Sequence, residues 1–477
     1  MPAVSTTRGN SGRNTRGVKP TKEGSNDPKW YASNPQLLLD AASIPFSNST
    51  GTKFQLNPYG ASNIWETSPG IMVMKLRPSV GFSNSAASPI NIASTAIYSF
   101  VRHANSGHSN YDAPDLMVYL VGMSSIYSYI NWLMRLYGTM TLYSPANRYL
   151  PKAIIEAQGV DFDSLEAHLA DFRYGVNLLI SKAASLAVPA NMTYFTRQSF
   201  VYQNIYTEGT SPKDQLYMYA PDSFFQFAYG QDGESSLKVV SALVQGNTYD
   251  ALIRYGDNLL QSVLGNEDYN IMSGDILKAY GDAGIIKLVT LPAEYTVMPV
   301  FDIGVLEQFK NAYVIPDFET SLNQFSVTQS ADKSYLVSKP YCVRWTLESG
   351  TPTTEYIAKL RRYFTWSEDR LLTTTTANTS ADLVIESTRL MPTLIPHDVS
   401  GNEHYLEIHS GSEIPVELFV MKANAADPQT FTKQIISTWR DGSTLGFSQV
   451  ANLGMWSAFK FAPMVTVYSF NDEWTPK

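Results

Sequence analysis

The strongest constraint on what this 477-residue chain can fold into is one long apolar helix signal over residues 113–137. Pro114 stands near its start, and Leu116, Leu120, Met123, Ile126, Tyr127, Ile130, Leu133, Met134 and Tyr137 recur at helical spacing. Gly138 is the expected stop. The sequence on either side reads the same way. A helix is expected over 93–104, and Asn34-Pro35 supplies a cap and a first helical residue for a short one. Asp163-Ser164-Leu165-Glu166 resembles a capping box, followed by Leu165, Leu169, Phe172, Val176, Leu179 and Ile180 on one face up to Leu186. Asn247 is the expected cap of a helix through Leu264, Ser273 of a short one to Tyr280, and Asp302 of one to Asn311.

Strand signals are weaker and lie mostly later. Residues 44–92 are broken by Pro45, Pro58, Pro69, Pro78 and Pro89, and read as loops with a short extended piece at Ile71-Met72-Val73-Met74. Residues 193–206 and 285–300 look extended. After residue 325 the stretches 334–347, 382–390, 403–421 and 463–470 are β-branched and aromatic, with near-alternating polarity. Thr373–Asn378 reads as a surface loop and 353–366 as a helix. The expected fold class is therefore mainly α with β-rich parts, an α+β protein.

Charge is distributed unevenly. Residues 1–22 hold Arg8, Arg13, Arg16, Lys19 and Lys22 and no acid. Taking those five from the chain's 35 Lys and Arg leaves 30 against 43 Asp and Glu, so an arm of +5 precedes a body of −13. The arm is rich in Gly, Ser, Thr and Asn and is expected to be flexible, since it cannot bury enough apolar surface to offset its ordering entropy. It could be a solubilising tail; it could also be a tether for phosphates, where each neutralised phosphate releases counterions. It has no apolar core of a secretory signal and no run of about 18 apolar residues follows anywhere, so a reducing, cytosol-like compartment and no membrane span are expected. The sequons at Asn48, Asn191 and Asn378 carry little weight in that setting.

A search for chemistry yields no catalytic residue, no metal site and no cofactor site. His404, Glu407 and His409 are the closest histidine cluster, but they lie in a strand-like segment where positions 404 and 409 face opposite ways. His103, His108, His168 and His397 read as surface or structural histidines. Asp161 and Asp163 read as helix-cap chemistry and Ser410-Gly411-Ser412 is not a nucleophile elbow. Cys342, the single cysteine, sits in an apolar run and reads as core, which also excludes an intramolecular disulfide. The composition points elsewhere. Only 16% of residues are charged, against 29 Tyr and 8 Trp, a balance that suits surface covered by partners. An assembly of many acidic-to-neutral bodies, each carrying a flexible basic arm, is the physical recipe for a nucleic-acid container.

Two blocks carry a family resemblance. The first is Asp27-Pro28-Lys29-Trp30-Tyr31 with Asn34-Pro35-Gln36-Leu37-Leu38 and Asp40-Ala41-Ala42-Ser43-Ile44-Pro45-Phe46. The second is Val450-Ala451-Asn452-Leu453-Gly454-Met455-Trp456-Ser457 with Phe459-Lys460-Phe461-Ala462-Pro463. Together they resemble picobirnavirus capsid proteins. The resemblance implies a helical shell domain plus a projecting domain, homodimers assembling into a small icosahedral shell around double-stranded RNA, a virion location after assembly in the host cytoplasm, and no enzymatic activity. Some members cut their own N-terminal arm; no residue here matches such a cut. The expected layout is a flexible basic arm at 1–26, a mainly helical shell domain at 27–324, a β-richer candidate projecting domain at 325–449, and a C-terminal segment at 450–477 that is a candidate to return to the shell. Arg8, Arg13, Arg16, Lys19 and Lys22 are the expected RNA contacts, without sequence reading. The competing readings are a helical carbohydrate-binding protein of the bacterial surface, an enzyme with dispersed catalytic residues, and a coat protein of another small double-stranded RNA virus.

Overall fold

The helix signalled in the middle of the sequence runs from Ala113 to Met140 in the computed structural model, and every residue from Leu116 to Thr139 is buried. A helix buried on all sides has no solvent face to offer, so the rest of the chain wraps around it. Residues 53–56, 64–67, 70–142, 150–207, 214–229, 234–314, 322–346, 380–398, 403–423, 430–435, 468–470 and 474–476 are described, less 106, 108, 109, 313 and 391. All of them fall within one compact unit, Ser47–Lys477.

Among the described residues the helices are α1 (Pro89–Ala104), α2 (Ala113–Met140), α3 (Leu150–Ala157), α4 (Phe162–Ala167), α5 (Leu169–Ala183), α6 (Thr193–Phe200), α7 (Tyr249–Leu264), α8 (Glu267–Tyr280), α9 (Ile303–Asn311) and α10 (Ala381–Ser387). The strands are β1 (Lys53–Leu56), β2 (Ile64–Thr67), β3 (Ile71–Pro78), β4 (Tyr206–Thr207), β5 (Leu216–Pro221), β6 (Ser223–Tyr229), β7 (Ser235–Ser241), β8 (Thr328–Gln329) and β9 (Leu336–Val337), then β10 (Tyr341–Thr346), β11 (Thr393–Asp398), β12 (Glu403–His409), β13 (Glu413–Ala423), β14 (Phe431–Ile435), β15 (Tyr468–Phe470) and β16 (Trp474–Pro476). The α+β class expected from the sequence is the class observed.

The main sheet has the order β14-β13-β3-β5-β4. Its central pair, β3 and β5, is parallel, while β13 runs antiparallel to β3, with Ile71 opposite Met421 and Pro78 opposite Glu413. Alternate residues of β3 enter two different cores. Met72, Met74 and Leu76 join the large cluster around α2, and Ile71 and Val73 join a second cluster with Leu150, Ile154, Met218 and Phe419. Burial on both faces explains why Ile71–Met74 is an unbroken apolar run rather than an alternating one. A second sheet has the order β10-β12-β11, and Pro396 sits on its edge strand, where a missing donor costs no ladder bond.

Several expectations change. α2 does not stop at Gly138; a Cβ there would sit 2.6 Å from Val297 Cγ2 and 2.8 Å from the Tyr295 ring, so this glycine admits a crossing segment. α4 is capped by Asp161, whose Oδ1 accepts from Ser164 N–H at 3.2 Å, and not by the Asp163 box. The one helix expected from there to Leu186 is two, broken at His168, whose ring stacks on Tyr249 with centroids 4.4 Å apart. Thr248 rather than Asn247 caps α7, and Asn266 rather than Ser273 caps α8. Ser273 lies inside α8, where its Oγ accepts from Ala187 N–H at 2.8 Å. Asp302 caps α9 as expected.

Two segments expected to be extended are helical. Residues 193–200 form α6, because α2 offers polar partners there: Asn131 Nδ2 donates to Ser199 O at 2.8 Å, and Ser128 Oγ donates to Gln198 O. Residues 381–387 form α10 rather than a strand. The 285–300 segment is extended but forms no strand of its own, making only single bridges, Ile285 to Pro189 and Val300 to Tyr206 of β4; between these it lies along α2, accepting from Tyr127 at Ile286 O (3.2 Å) and from Tyr137 at Ala293 O (2.8 Å). Residues 403–421 are two strands in two sheets, turning at 410–412. The expectations for 1–46, 353–366 and 373–378 lie outside the described residues, as does 463–470 apart from β15.

Candidate functional site

The most developed polar constellation is a buried charge cluster where α6, α9, α10 and the start of β13 converge. Glu413 is its centre, with a side chain 1% exposed. Arg197 of α6 reaches it from one side, Nε to Oε1 at 2.9 Å. Arg389, just past α10, approaches from the other, Nε to Oε2 at 3.5 Å, while its Nη2 donates to Ser412 Oγ at 2.7 Å. Gln198 Nε2 also donates to Glu413 Oε1, at 3.0 Å. The fork of Arg197 is used fully: Nη2 donates to Gln308 Oε1 at 2.9 Å and Nη1 to Glu386 Oε1 at 3.4 Å. Tyr219 on β5 closes the ring, donating to Gln308 Oε1 at 3.2 Å.

The electrostatics follow from this geometry. Burial by itself raises the Glu413 carboxyl, but Arg197 and Arg389 beside it outweigh that and hold it below the usual glutamate range. Burial likewise acts to lower Arg197, and the Glu413 charge reverses the direction, keeping the guanidinium protonated. Among the described residues a second buried cation, Arg135 of α2, meets no carboxylate but neutral oxygens, and its Nε has no hydrogen-bond partner. Its Nη2 donates to Gln158 Oε1 (2.6 Å) and Tyr219 O (2.7 Å), its Nη1 to Asn204 O (3.1 Å), and desolvation lowers it to about 9, which leaves it charged at neutral pH. Arg77 of β3 donates to Asp222 Oδ2 at 2.9 Å and lies over the Phe325 ring at 4.6 Å. These groups hold elements together. A carboxylate clamped between two guanidinium groups has no proton to give and no open side for a substrate, so the cluster is a lock and not a reaction centre.

The residues singled out from the sequence are scattered. Arg8, Arg13, Arg16, Lys19 and Lys22 lie outside the described residues. Glu407 and His409 meet, Oε2 to Nε2 at 3.4 Å, and the His409 ring stacks on Phe82 with centroids 4.5 Å apart. His404 is in register with Trp345 and Asp398 on β12, and His397 with Tyr405 on β11. Cys342 is on β10 opposite Leu406. Among the described residues no group of three or more His, Cys, Asp or Glu is placed to hold a metal ion, and no helix is long and apolar enough to cross a membrane. The Arg197–Glu413 cluster carried no sequence signal, because its members are spread from residue 197 to residue 413.

Some basic side chains of the body pair with its own acids. Among the described residues Lys75 and Lys433 pair with Glu417, Lys152 with Glu156 and Asp163, Lys182 with Asp257, and Arg254 with Asp250. Arg77, Arg197 and Arg389 likewise meet carboxylates.

Residues 30–413 match the family model described as picobirnavirus capsid protein. The capsid protein precursor of human picobirnavirus (strain Human/Thailand/Hy005102/-) is 33% identical over 328 residues, 64% of this chain and 59% of that protein, so the chain spans less than two thirds of that relative's length. The X-ray crystallographic structure of the picobirnavirus capsid matches with a TM-score of 0.67 over 90% of this chain and 89% of that chain, at 21% identity, a likeness of fold.

Proposed function

The chain belongs to the picobirnavirus capsid protein family, and from that premise we propose that it assembles through homodimers into a small icosahedral shell enclosing double-stranded RNA. It is a structural protein of the virion. In this reading assembly takes place in the host cytoplasm, and the arm carrying Arg8, Arg13, Arg16, Lys19 and Lys22 faces the interior and contacts RNA phosphates without reading sequence.

The observation that carries the RNA reading is the charge split, +5 on residues 1–22 and −13 on the rest. Five charges per copy are few for a packaged genome, so counterions complete the balance and the contact is weak and salt-sensitive. The proposed layout keeps the arm at 1–26, a shell body at 27–324 and a projection within 325–449. Because β13 and β14 share a sheet with β3 and β5, the projection in this layout excludes residues 413–435. The segment 450–477 returns to the shell.

The test is deletion of residues 1–22 followed by purification of particles and measurement of RNA per particle. A marked drop in RNA with particles still forming is the expected outcome. Unchanged RNA content would sink the role given to the arm. Absence of uniform closed particles from the full chain, seen by negative-stain microscopy, would sink the assembly reading itself.

A further inference from the structure

We infer that the outer face of α1 is an isologous contact between two copies of this chain, paired antiparallel across a two-fold axis at Ala96. This rests on the self-assembly proposed above and names where two copies meet.

The inner face of α1 is pinned with unusual thoroughness. Asn91 is buried, and its Nδ2 donates to Ser83 Oγ (2.9 Å), Ser85 O (2.8 Å) and Leu336 O (3.0 Å), while its Oδ1 accepts from Leu336 N–H (2.9 Å). Ser94 Oγ donates to Ala113 O at 2.5 Å, and Val101 is fully buried. The helix is therefore a fixed platform and its outer face points reliably outward.

The outer face carries large apolar side chains. Its exposed residues include Ile92, Ala93, Ala96, Ser99 and Phe100, with Ile92 59% and Phe100 49% exposed, and it ends at the exposed His103. It carries no carboxylate and no lysine; Arg102 is turned to the Gly107 carbonyl at the helix end. α8 lies alongside: Phe100 packs on Tyr280 with centroids 4.8 Å apart and Asn105 Nδ2 donates to Asp275 O at 3.1 Å. Two large apolar side chains left outward on one fixed helix face mark an interaction surface.

The pattern selects the occupant. Ile92, Ala96 and Phe100 follow one another at four-residue spacing, so they line one face. The order is palindromic in size: large, small, large, with Ala93 and Ser99 as the inner small pair. Two copies related by a two-fold at Ala96 place Ile92 of each opposite Phe100 of the other and Ala93 opposite Ser99, while the alanine on the axis lets the helices approach closely. Such self-complementarity is the requirement of an isologous interface. A phosphate backbone needs several cations, and the stripe offers only His103 at its end; a charged partner would bury its charges against alkyl groups. The same largely uncharged stripe on a second copy meets neither obstacle.

The experiment uses the full-length protein. In a Cys342→Ser background, Ala96→Cys is treated with a short bis-maleimide cross-linker, with Ser185→Cys, exposed on the turn after α5, as the comparison. Position 96 is expected to give a covalent dimer in high yield and position 185 little or none. In parallel, Phe100→Glu is compared with wild type by analytical ultracentrifugation, with circular dichroism to verify the fold. The substitution enters the contact twice, so a dimer dissociation constant raised about thirtyfold or more is expected. Particles that form normally from Phe100→Glu, or that show no cross-link at position 96, overturn the inference. If the wild-type chain forms no particles, the capsid assembly reading falls by itself, and the cross-link at position 96 in solution still decides the interface.

Discussion

Glu413 shows how much of a fold one side chain can hold. It is buried, it is clamped by Arg197 and Arg389, and it joins β13 to α6 and to the turn after α10. Removing its charge leaves Arg197 and Arg389 with Glu386 as their remaining carboxylate. Glu413→Gln is therefore expected to cost on the order of 3 kcal/mol, read as a shift in urea midpoint. The pH dependence has a definite sign. Because the folded carboxyl titrates below its ordinary value, its contribution is fully present above that ordinary value and is lost as pH falls through the folded one. Wild type should lose stability steeply on the acid side and the Gln variant more gently; equal acid slopes would show that the clamp does not govern acid unfolding. Gly122 makes a steric counterpart. A Cβ at that position would overlap the Phe227 ring, so Gly122→Ala is expected to cost about 1–3 kcal/mol by overpacking, despite the better helix propensity of alanine. A thermal midpoint at or above wild type would contradict it.

At the scale of elements, helices respond to two different instructions. The local one is written within four residues: Asp302 before α9 and the apolar period of α2 are legible and those helices start where they were expected, whereas Pro89, read as a loop breaker, opens α1 ahead of the expected start at 93. The tertiary one overrides propensity. Tyr194, Phe195, Phe200 and Val201 favour a strand, yet α6 forms because carbonyls at its end meet Asn131 and Ser128 of α2. Gly138 looks like a helix stop and is instead the point where Val297 crosses, its N–H donating to Gly138 O at 3.1 Å. α1 tests how far one polar anchor fixes an element. Asn91→Ala removes the four bonds to Ser83, Ser85 and Leu336 and leaves buried groups unsatisfied, so a loss of about 1–3 kcal/mol is expected. Hydrogen exchange should localise it to residues 89–104; unchanged protection there would show the anchor is dispensable.

For the whole molecule, the central question is how an acidic body and a basic arm share the work. If the five arm cations are the RNA contacts, binding of a short RNA duplex should weaken with salt at a log–log slope of about −0.9 per phosphate neutralised. Replacing Arg8, Arg13 and Arg16 by Gln should flatten that slope by about 3. A slope unmoved by the three changes would transfer the RNA contact to the body.

The sequence by itself determined the α+β class, the positions of the long helix and of several capped ones, the uneven charge and the family. All of these depend on interactions between near neighbours or on composition, which a linear reading captures. The tertiary structure alone decided that β3 is the centre of a sheet and not a short piece among loops, because its partners, Leu216–Pro221 and Glu413–Met421, lie far along the chain. It alone brought Arg197, Gln308, Glu386, Arg389 and Glu413 into one buried cluster. It alone chose which face of α1 is pinned by Asn91 and which, with Ile92 and Phe100, is left outward. Strand pairing, charge burial and facial exposure are set by contacts between segments distant in sequence. No local pattern records which distant segment will arrive.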